Sequence, residues 1–272
     1  MLDSLQAPLL FGLTAAFITT LGLITVSMRG DWSARYSGLF ALAAGGMLIS
    51  LTLLHIAPEA FELSSHASAF LMCGFFGGLL LHFGIGAMFP ESADHGRAAA
   101  FTPLAAVAVH SLIDGVIYSV TFAASFSSGV YAAAGLMLHE FPEGVIAFAI
   151  LRRHSFTNRE AFFWAFLAAA LTTPLGVVLA GPFMYGLTPD ILGSLFAVSA
   201  GLLLYVSTGP LMEPLGEEPP LRSLLALGTG VSLAILMALM PLHGHVEADA
   251  GAGPAPHVHP HPPPQSLTYP NE

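Results

Sequence analysis

Two apolar stretches, residues 102–122 (TPLAAVAVHSLIDGVIYSVTF) and residues 129–150 (GVYAAAGLMLHEFPEGVIAFAI), each carry a histidine and acidic residues near their middle. Both have about the 20 mostly apolar residues that an α-helix needs to cross a bilayer. An ionisable side chain at that depth costs about 2.5–3.5 kcal/mol on insertion scales unless it is paired, neutralised or bound to a metal. The two stretches therefore predict membrane-spanning helices whose ionisable residues near the centre have a function.

The rest of the chain has the composition of a protein built from such helices. Hydrophobic residues make up 55% of it and charged residues only 9%, whereas a soluble domain carries about 25% charged residues. We therefore expect an all-α membrane protein with eight transmembrane helices, the fourth and fifth at the centre of the bundle. The other six predicted helices cover residues 8–28, 37–58, 68–88, 160–182, 190–212 and 222–242.

The distribution of arginine predicts how the chain lies in the membrane. All seven basic residues are arginines, and each falls in or beside a connection that leads from an odd-numbered predicted helix to the next one. Positive charge near the ends of spans stays on the cytoplasmic side. Both termini should therefore lie outside, in the plasma membrane or, in a bacterium, the inner membrane. The arginines are Arg29, Arg35, Arg97, Arg152, Arg153, Arg159 and Arg222.

Composition also divides the chain into two regions and excludes some partners. Residues 1–242 should form an eight-helix transmembrane domain, and residues 243–272 a disordered external tail rich in histidine and proline. A net charge of −10 without any lysine excludes a basic groove for nucleic acid. The single cysteine, Cys73, excludes a multi-cysteine zinc site. Any metal site must therefore use histidines and carboxylates.

The two central helices carry variants of one short motif. His110 and Asp114 are four residues apart on the fourth helix, as are His139 and Glu143 on the fifth, and Glu140 follows the second histidine. Residues four apart share one helix face, so each pair should direct its side chains at a common point. Two imidazoles and two carboxylates suit Zn²⁺, Fe²⁺, Mn²⁺ or Co²⁺. A contact that only links two helices is the structural alternative, but serine or threonine would cost less there.

The backbone around these motifs also favours a binding site. Pro142 has no N–H, so the carbonyl of Leu138 should lose its helical partner and be free for a cation or water. Gly115 and Gly144 follow the carboxylates directly and would let two helices approach closely. Because the motif repeats on successive, antiparallel helices, it forms a small inverted repeat, and transporters commonly place their site where such repeats meet.

An intramembrane metal-dependent hydrolase is the main alternative that the residues leave open. A bound metal ion could activate water, and His139 followed by Glu140 is similar to the helix of zinc proteases. That motif needs a second histidine at position 143, where this chain has Glu143. We therefore expect a protein that is not an enzyme, with the metal ion bound as substrate and no cofactor.

The combination of these motifs resembles the ZIP (Zrt/Irt-like) family of divalent-metal transporters. Residues 110–115 have the pattern His-x-x-x-Asp-Gly and residues 139–144 the pattern His-Glu-x-Pro-Glu-Gly, on the fourth and fifth of eight helices. Residues 55–60, His-Ile-Ala-Pro-Glu-Ala, and residues 201–205, Gly-Leu-Leu-Leu-Tyr, are also similar to family motifs. The resemblance covers most of residues 8–242.

The resemblance implies import of zinc, or of iron, manganese, cobalt or cadmium, into the cytoplasm by a homodimer. One metal position would use the four residues of the paired motifs. A second would draw on Glu140 with bridging Asp114 and Glu143, while Ser111 and Thr173 stand where the family often has asparagine and glutamate. Because a hydroxyl brings no charge, we expect one tight position and one weak one. The presence of serine and threonine in place of these two family residues would also fit a metal-binding receptor that does not transport.

Polar residues at the ends of the predicted helices suggest a path for the ion. His55 and Glu59 are four residues apart at the outer end of the second helix, where they could receive a hydrated cation. An exit on the cytoplasmic side would use residues that follow the third helix and end the seventh. These are Glu91, Asp94, His95, Met212 and Glu213.

Overall fold

The computed structural model describes residues 2–29, 35–88, 95–183 and 185–239, which form helices joined by short connections. Eight helical stretches in this part of the chain are long and apolar enough to cross a membrane, and these described residues contain no strand. The prediction of an all-α membrane protein with eight spans is confirmed. The expected tail, residues 243–272, lies outside the described residues, so its disorder stays a prediction.

We number the spanning helices α1 to α8 in chain order. Six are continuous α-helices: α1 Leu2–Ser27, α3 Ala67–Met88, α4 Phe101–Ala124, α5 Phe126–Arg153, α7 Pro189–Thr208 and α8 Pro220–Ala238. Two contain a π-helical turn: α2 consists of Ser37–Leu51, the turn Thr52–Ile56 and Ala57–Leu63, and α6 of Asn158–Ala165, the turn Phe166–Ala170 and Thr172–Ala180. A short helix, His95–Ala98, precedes α4, and a 3₁₀-helix, Pro210–Gly216, follows α7.

The two π-helical turns lie just ahead of a proline in the same helix. Pro58 follows the turn in α2, and Pro174 follows the turn in α6. A proline ring clashes with the carbonyl four residues earlier, and a wider turn at that point relieves the clash. In contrast, α5 runs through Pro142 as one continuous α-helix.

Local sequence signals set where α6 and α7 begin. Thr157 caps α6: its Oγ1 accepts the N–H of Glu160 at 3.3 Å, and Glu160 Oε2 accepts the N–H of Thr157 at 2.8 Å, which is a capping box. Thr188 caps α7 by accepting the N–H of Ile191 at 3.4 Å, and Pro189 occupies the first helical position. Each cap therefore fixes the residue at which its helix begins.

The helices pack in four pairs, and in each pair one glycine of each helix lies against the backbone of the other helix. At eight glycines an added Cβ atom would lie 1.8 to 2.5 Å from a carbonyl oxygen of the neighbouring helix, closer than real Cβ atoms come. Such crossings of small residues are typical of packing in membranes. The pairs are Gly22 and Gly144 between α1 and α5, Gly115 and Gly176 between α4 and α6, Gly74 and Gly201 between α3 and α7, and Gly46 and Gly230 between α2 and α8.

Packing between these pairs produces two groups of helices. The first group contains α1, α4, α5 and α6, and the second contains α2, α3, α7 and α8. Contacts of α4 with α7 and of α5 with α2 join the groups. In their spanning windows α4 and α5 are each 67% buried, compared with 11% for α3 and 22% for α8. The polar motifs of α4 and α5 are therefore shielded from the lipid.

Candidate metal centre

Four of the five predicted ligands converge between α4 and α5. One ligand atom from each of His110, Asp114, His139 and Glu143 lies within 4.8 Å of the other three. All four residues are buried, with at most 4% of their surface exposed. The four-residue spacing places each pair on one helix face, and the contact between α4 and α5 brings the two faces together. We call these four residues the α4–α5 cluster.

Asp114 lies between the two imidazoles of the cluster. Its Oδ2 is 3.0 Å from Nε2 of His139 and 3.7 Å from Nε2 of His110. The ring centroids are 5.4 Å apart, and the ring planes are inclined by 33°. Nε2 of His139 therefore forms a hydrogen bond with Oδ2, and Nε2 of His110 approaches the same oxygen.

Three atoms of the cluster have no hydrogen-bond partner among the described residues: His110 Nε2, Asp114 Oδ1 and Glu143 Oε2. A buried polar group without a partner costs about 1–3 kcal/mol, so most such groups in proteins are completed by a partner, water or ion. Imidazole nitrogen and carboxylate oxygen are both common ligands of Zn²⁺. The residues present therefore fit a divalent metal ion.

A small cavity borders three of the four ligands. Its volume is about 10 Å³, close to the space that one water molecule or one ion needs. The remainder of its lining is apolar and comes from α2, α4, α5 and α7, so an ion there has polar partners only on the side of the cluster. The lining residues are Met47, Leu48, Leu51, Val107, His110, His139, Glu143, Ile146 and Leu203.

Two serines contact the ligands of the cluster. Ser111 Oγ donates a hydrogen bond to Oε1 of Glu143 and also lies 3.0 Å from the carbonyl of Val107. Ser199 of α7 places its Oγ 2.9 Å from Nδ1 of His110. The sequence predicts Ser111 beside a second metal position, and in the structure it contacts a cluster carboxylate. Ser199 is absent from the sequence-based prediction because a single serine in an apolar helix gives no spacing signal.

Glu140 lies outside the cluster, although it is fully buried. Its Oε2 accepts a hydrogen bond of 2.5 Å from Thr19 Oγ1 of α1. Its Oε1 has no hydrogen-bond partner among the described residues, and neither has Oγ1 of the buried Thr173 on α6. Glu140 and Thr173 therefore each keep an oxygen for a further ligand. Thr19, like Ser199, contacts a predicted site residue but was not indicated by the sequence.

The residues expected to receive the ion, His55 and Glu59, lie together near one end of α2. Their Nε2 and Oε2 atoms are 3.9 Å apart, and the side chains are 26% and 24% exposed. Both side chains are therefore partly exposed, unlike those of the α4–α5 cluster.

The residues expected at the exit are described only in part. Glu213, in the 3₁₀-helix after α7, pairs with Arg153 at 3.7 Å. Met212 lies against Gly45 of α2, where a Cβ atom would come within 2.2 Å of its Cε. The side chain of His95 is not among the described parts of the chain, and Glu91 and Asp94 lie outside the described residues.

An eight-helix membrane bundle that encloses two histidines and two carboxylates has the architecture of a membrane metal transporter. Residues 90–238 match the family described as ZIP zinc transporter, which is more than half of the 272 residues. The chain therefore belongs to the ZIP zinc transporter family. Metal transport across a membrane, with the ion as substrate, is accordingly its class of function.

Similar proteins extend this match over most of the chain. Zinc transporter ZIP13 of Pongo abelii is 27% identical over 263 residues, which cover 87% of this chain and 78% of that protein. Zinc transporter ZupT of Akkermansia muciniphila is 27% identical over 216 residues, or 66% and 76% of the two chains. Zinc transporter ZupT of Chlorobium luteolum is 25% identical over 274 residues, or 86% and 97%. The similarity therefore reaches beyond the part matched by the family.

Proposed function

We propose that this protein imports a divalent transition metal into the cytoplasm. Zinc is the first candidate, because the family and the relatives are named for it, and iron, manganese, cobalt and cadmium are the others. The observation that carries the proposal is the convergence of four buried ligand atoms within 4.8 Å. Two nitrogens and two oxygens suit these borderline ions better than Mg²⁺ or Ca²⁺, which prefer oxygen alone.

The proposal includes one tight metal position and one weak position. The tight position uses the four residues of the α4–α5 cluster. The weak position draws on Glu140, which would share Asp114 and Glu143 with the tight one. Ser111 and Thr173 border this second position with hydroxyls that carry no charge, and this makes its hold on a cation weaker.

Charge balance favours a role for protons in the cycle. Asp114, Glu140 and Glu143 carry three negative charges when ionised, so one divalent cation leaves about one excess negative charge. Metal ligands must lose their protons before they bind. An ion that arrives from outside would therefore displace protons from the cluster. Protonation or chelation on the cytoplasmic side would promote release after the helices have shifted.

We further propose a direction and a path. The positive-inside rule directs the arginine-bearing connections to the cytoplasm, so both termini lie outside, in the plasma membrane or a bacterial inner membrane. His55 and Glu59 receive the ion, and it leaves through a set of residues that follow α3 and α7 in the sequence. That set consists of Glu91, Asp94, His95, Met212 and Glu213. By analogy with the family, two copies of the chain form a homodimer.

Uptake of Zn²⁺ into proteoliposomes that contain a metal-sensitive dye tests the proposal. We expect wild-type protein to transport, and His139→Ala and Glu143→Ala to abolish both transport and tight binding, because each removes a ligand of the cluster. His154→Ala is the matched control. The imidazole Nδ1 of His154, which follows α5, lies 2.8 Å from the carbonyl oxygen of Ile150. The residue is outside the α4–α5 cluster, so its removal should leave uptake unchanged.

Two external pH values extend the test to protons. Slower uptake at the lower pH would support displacement of protons by the metal. Unchanged uptake by Glu143→Ala would contradict the proposed site. Tight binding without uptake by the wild type would contradict transport and favour a metal-binding receptor, or a hydrolase if a substrate is turned over.

A further inference from the structure

His110 is bonded to a helix outside the α4–α5 pair. Its Nδ1 lies 2.9 Å from Oγ of Ser199 on α7, and the two residues are only 4% and 1% exposed. The other ring nitrogen, Nε2, approaches Asp114 at 3.7 Å and has no hydrogen-bond partner among the described residues. The imidazole is therefore held at one nitrogen and free for a ligand at the other.

The chemistry of histidine ligands gives this contact a role. An imidazole binds a metal ion through its unprotonated nitrogen, while the other nitrogen carries a proton and normally donates it to an oxygen that fixes the ring. A serine hydroxyl can accept this hydrogen bond and can donate one when the proton is on the opposite nitrogen. Ser199 can thus stay bonded to His110 before and after an ion binds at Nε2.

The contact differs from that of another buried serine on the same helix. Ser207 Oγ donates to the carbonyl of Leu204 in α7 itself, at 3.2 Å. Such a bond within the helix satisfies the hydroxyl without involving another element. Ser199 instead bonds His110, a proposed metal ligand of α4. Its hydroxyl therefore differs from one whose hydrogen bond stays within its own membrane helix.

The bond also connects the two groups of helices. His110 belongs to α4 in the first group, and Ser199 belongs to α7 in the second. A hydrogen bond is lost when its donor and acceptor separate beyond about 3.5 Å. A displacement of about 1 Å between α4 and α7 would therefore release the ring.

We propose that Ser199 is a positioning residue for the metal site. It holds His110 with Nε2 toward the cluster while α4 and α7 keep this arrangement, and it frees the ring when they separate. Ser199 does not touch the ion. The inference rests on the proposed function, in which His110 is a metal ligand.

Zn²⁺ affinity of the purified full chain in detergent tests this role. We expect Ser199→Ala to weaken binding about 10–100-fold, the usual effect of removing an oxygen that orients a metal-bound histidine. Ser199→Thr keeps the hydroxyl and should restore most of the affinity. Ser207→Ala is the matched control and should bind like the wild type, because its bond stays within α7.

A spectroscopic measurement separates positioning from packing. In ¹⁵N-histidine-labelled, zinc-loaded protein, a hydrogen-bonded Nδ1–H signal of His110 should be present in the wild type and Ser199→Thr and absent from Ser199→Ala. His110→Ala assigns the signal. Ser199→Val has the shape of Ser199→Thr without the hydroxyl, so comparison of these two variants gives an independent result if the alanine variant does not fold.

The outcomes distinguish this inference from the proposed function. Equal affinity of wild type and Ser199→Ala, with a loss in His110→Ala, would overturn the role of Ser199 and leave the metal site intact. Wild-type affinity in His110→Ala would overturn the site and the inference together. A loss of affinity in Ser199→Ala with the Nδ1–H signal unchanged would show that the hydrogen bond is not the cause, and the proposal would be wrong.

Discussion

The buried carboxylates of this bundle have neutral partners as well as imidazoles. A hydroxyl of Ser111 bonds Glu143, and a hydroxyl of Thr19 bonds Glu140. Each of these glutamates keeps a second oxygen with no hydrogen-bond partner in the described part of the chain. A hydroxyl orients a carboxylate without cancelling its charge, so both glutamates remain able to bind a cation.

The proposed weak metal position should become tight when a charged residue replaces Thr173. Thr173→Glu would place a carboxylate where Oγ1 of a fully buried threonine has no partner in the described part of the chain. We expect tightly bound zinc to rise from about one ion to about two per chain, because an oxygen anion is a far stronger ligand than a hydroxyl. Metal analysis of the purified, dialysed protein measures this ratio.

Thr172→Glu is the control for this change. Thr172 is the next residue of α6, half-buried, and bonded to the carbonyl of Ala168 at 2.7 Å. A carboxylate there points in another direction around the helix and should leave the ratio at about one. A ratio that stays the same in Thr173→Glu would mean that this part of α6 does not border the metal site.

At this scale the sequence predicts the four residues of the α4–α5 cluster better than the residues that form hydrogen bonds to them. The spacing of four residues places His110 with Asp114 and His139 with Glu143, and the structure brings these four side chains together. Ser199 is 89 residues from its partner and Thr19 is 121 residues from Glu140. A single hydroxyl at such a separation leaves no pattern in the sequence, so only the packed structure reveals it.

Glycine crossings set the distances between helices, and therefore between ligands on different helices. An added Cβ at Gly115 would lie 2.0 Å from the carbonyl oxygen of Thr173 and 2.8 Å from the backbone nitrogen of Val177. Both are backbone atoms, so no side chain can move aside. Gly115 follows Asp114 directly, and any separation of α4 from α6 at this point would also move this residue of the α4–α5 cluster.

We therefore expect Gly115→Ala to destabilise the protein by about 1–3 kcal/mol, the usual cost of overpacking. The matched control is Gly84→Ala in α3, where an added Cβ meets nothing within 4 Å. Alanine normally favours a helix over glycine by about 0.5–1 kcal/mol, so this control should be neutral or stabilising. Thermal unfolding in detergent compares the two, and equal stabilities would contradict the close approach at Gly115.

The existence of the eight helices could be predicted, because about 20 apolar residues in a row have few other folds in a membrane. The internal geometry of these helices could not be predicted from the sequence. Pro58 and Pro174 come after π-helical turns, whereas Pro142 lies in an unbroken α-helix. Which of these a proline produces depends on the neighbouring helices that pack against it. The partner of each glycine likewise depends on tertiary packing.

At the scale of the molecule, arginine ion pairs connect the ends of neighbouring helices. Arg97 before α4 pairs with Glu160 of α6 at 2.9 Å, and Arg153 at the end of α5 pairs with Glu217 after α7 at 3.3 Å. Asn158 at the start of α6 donates to the carbonyl of Ser27 at the end of α1, at 3.2 Å. These contacts bring the arginine-bearing ends of the helices together, which is the arrangement that the positive-inside rule interprets as cytoplasmic.

Cysteine labelling of intact cells tests this orientation, on which import depends. The single cysteine is first removed as Cys73→Ser, and then Ser65→Cys or Ser155→Cys is added. Both serines are exposed, the first between α2 and α3 and the second between α5 and α6 at the arginine-bearing end. A membrane-impermeant maleimide should label Ser65→Cys in intact cells and Ser155→Cys only after lysis, because positive connections remain inside. The reverse labelling pattern would show that the bundle has the opposite orientation in the membrane. His55 and Glu59 would then lie on the cytoplasmic side, and the same metal site would serve export.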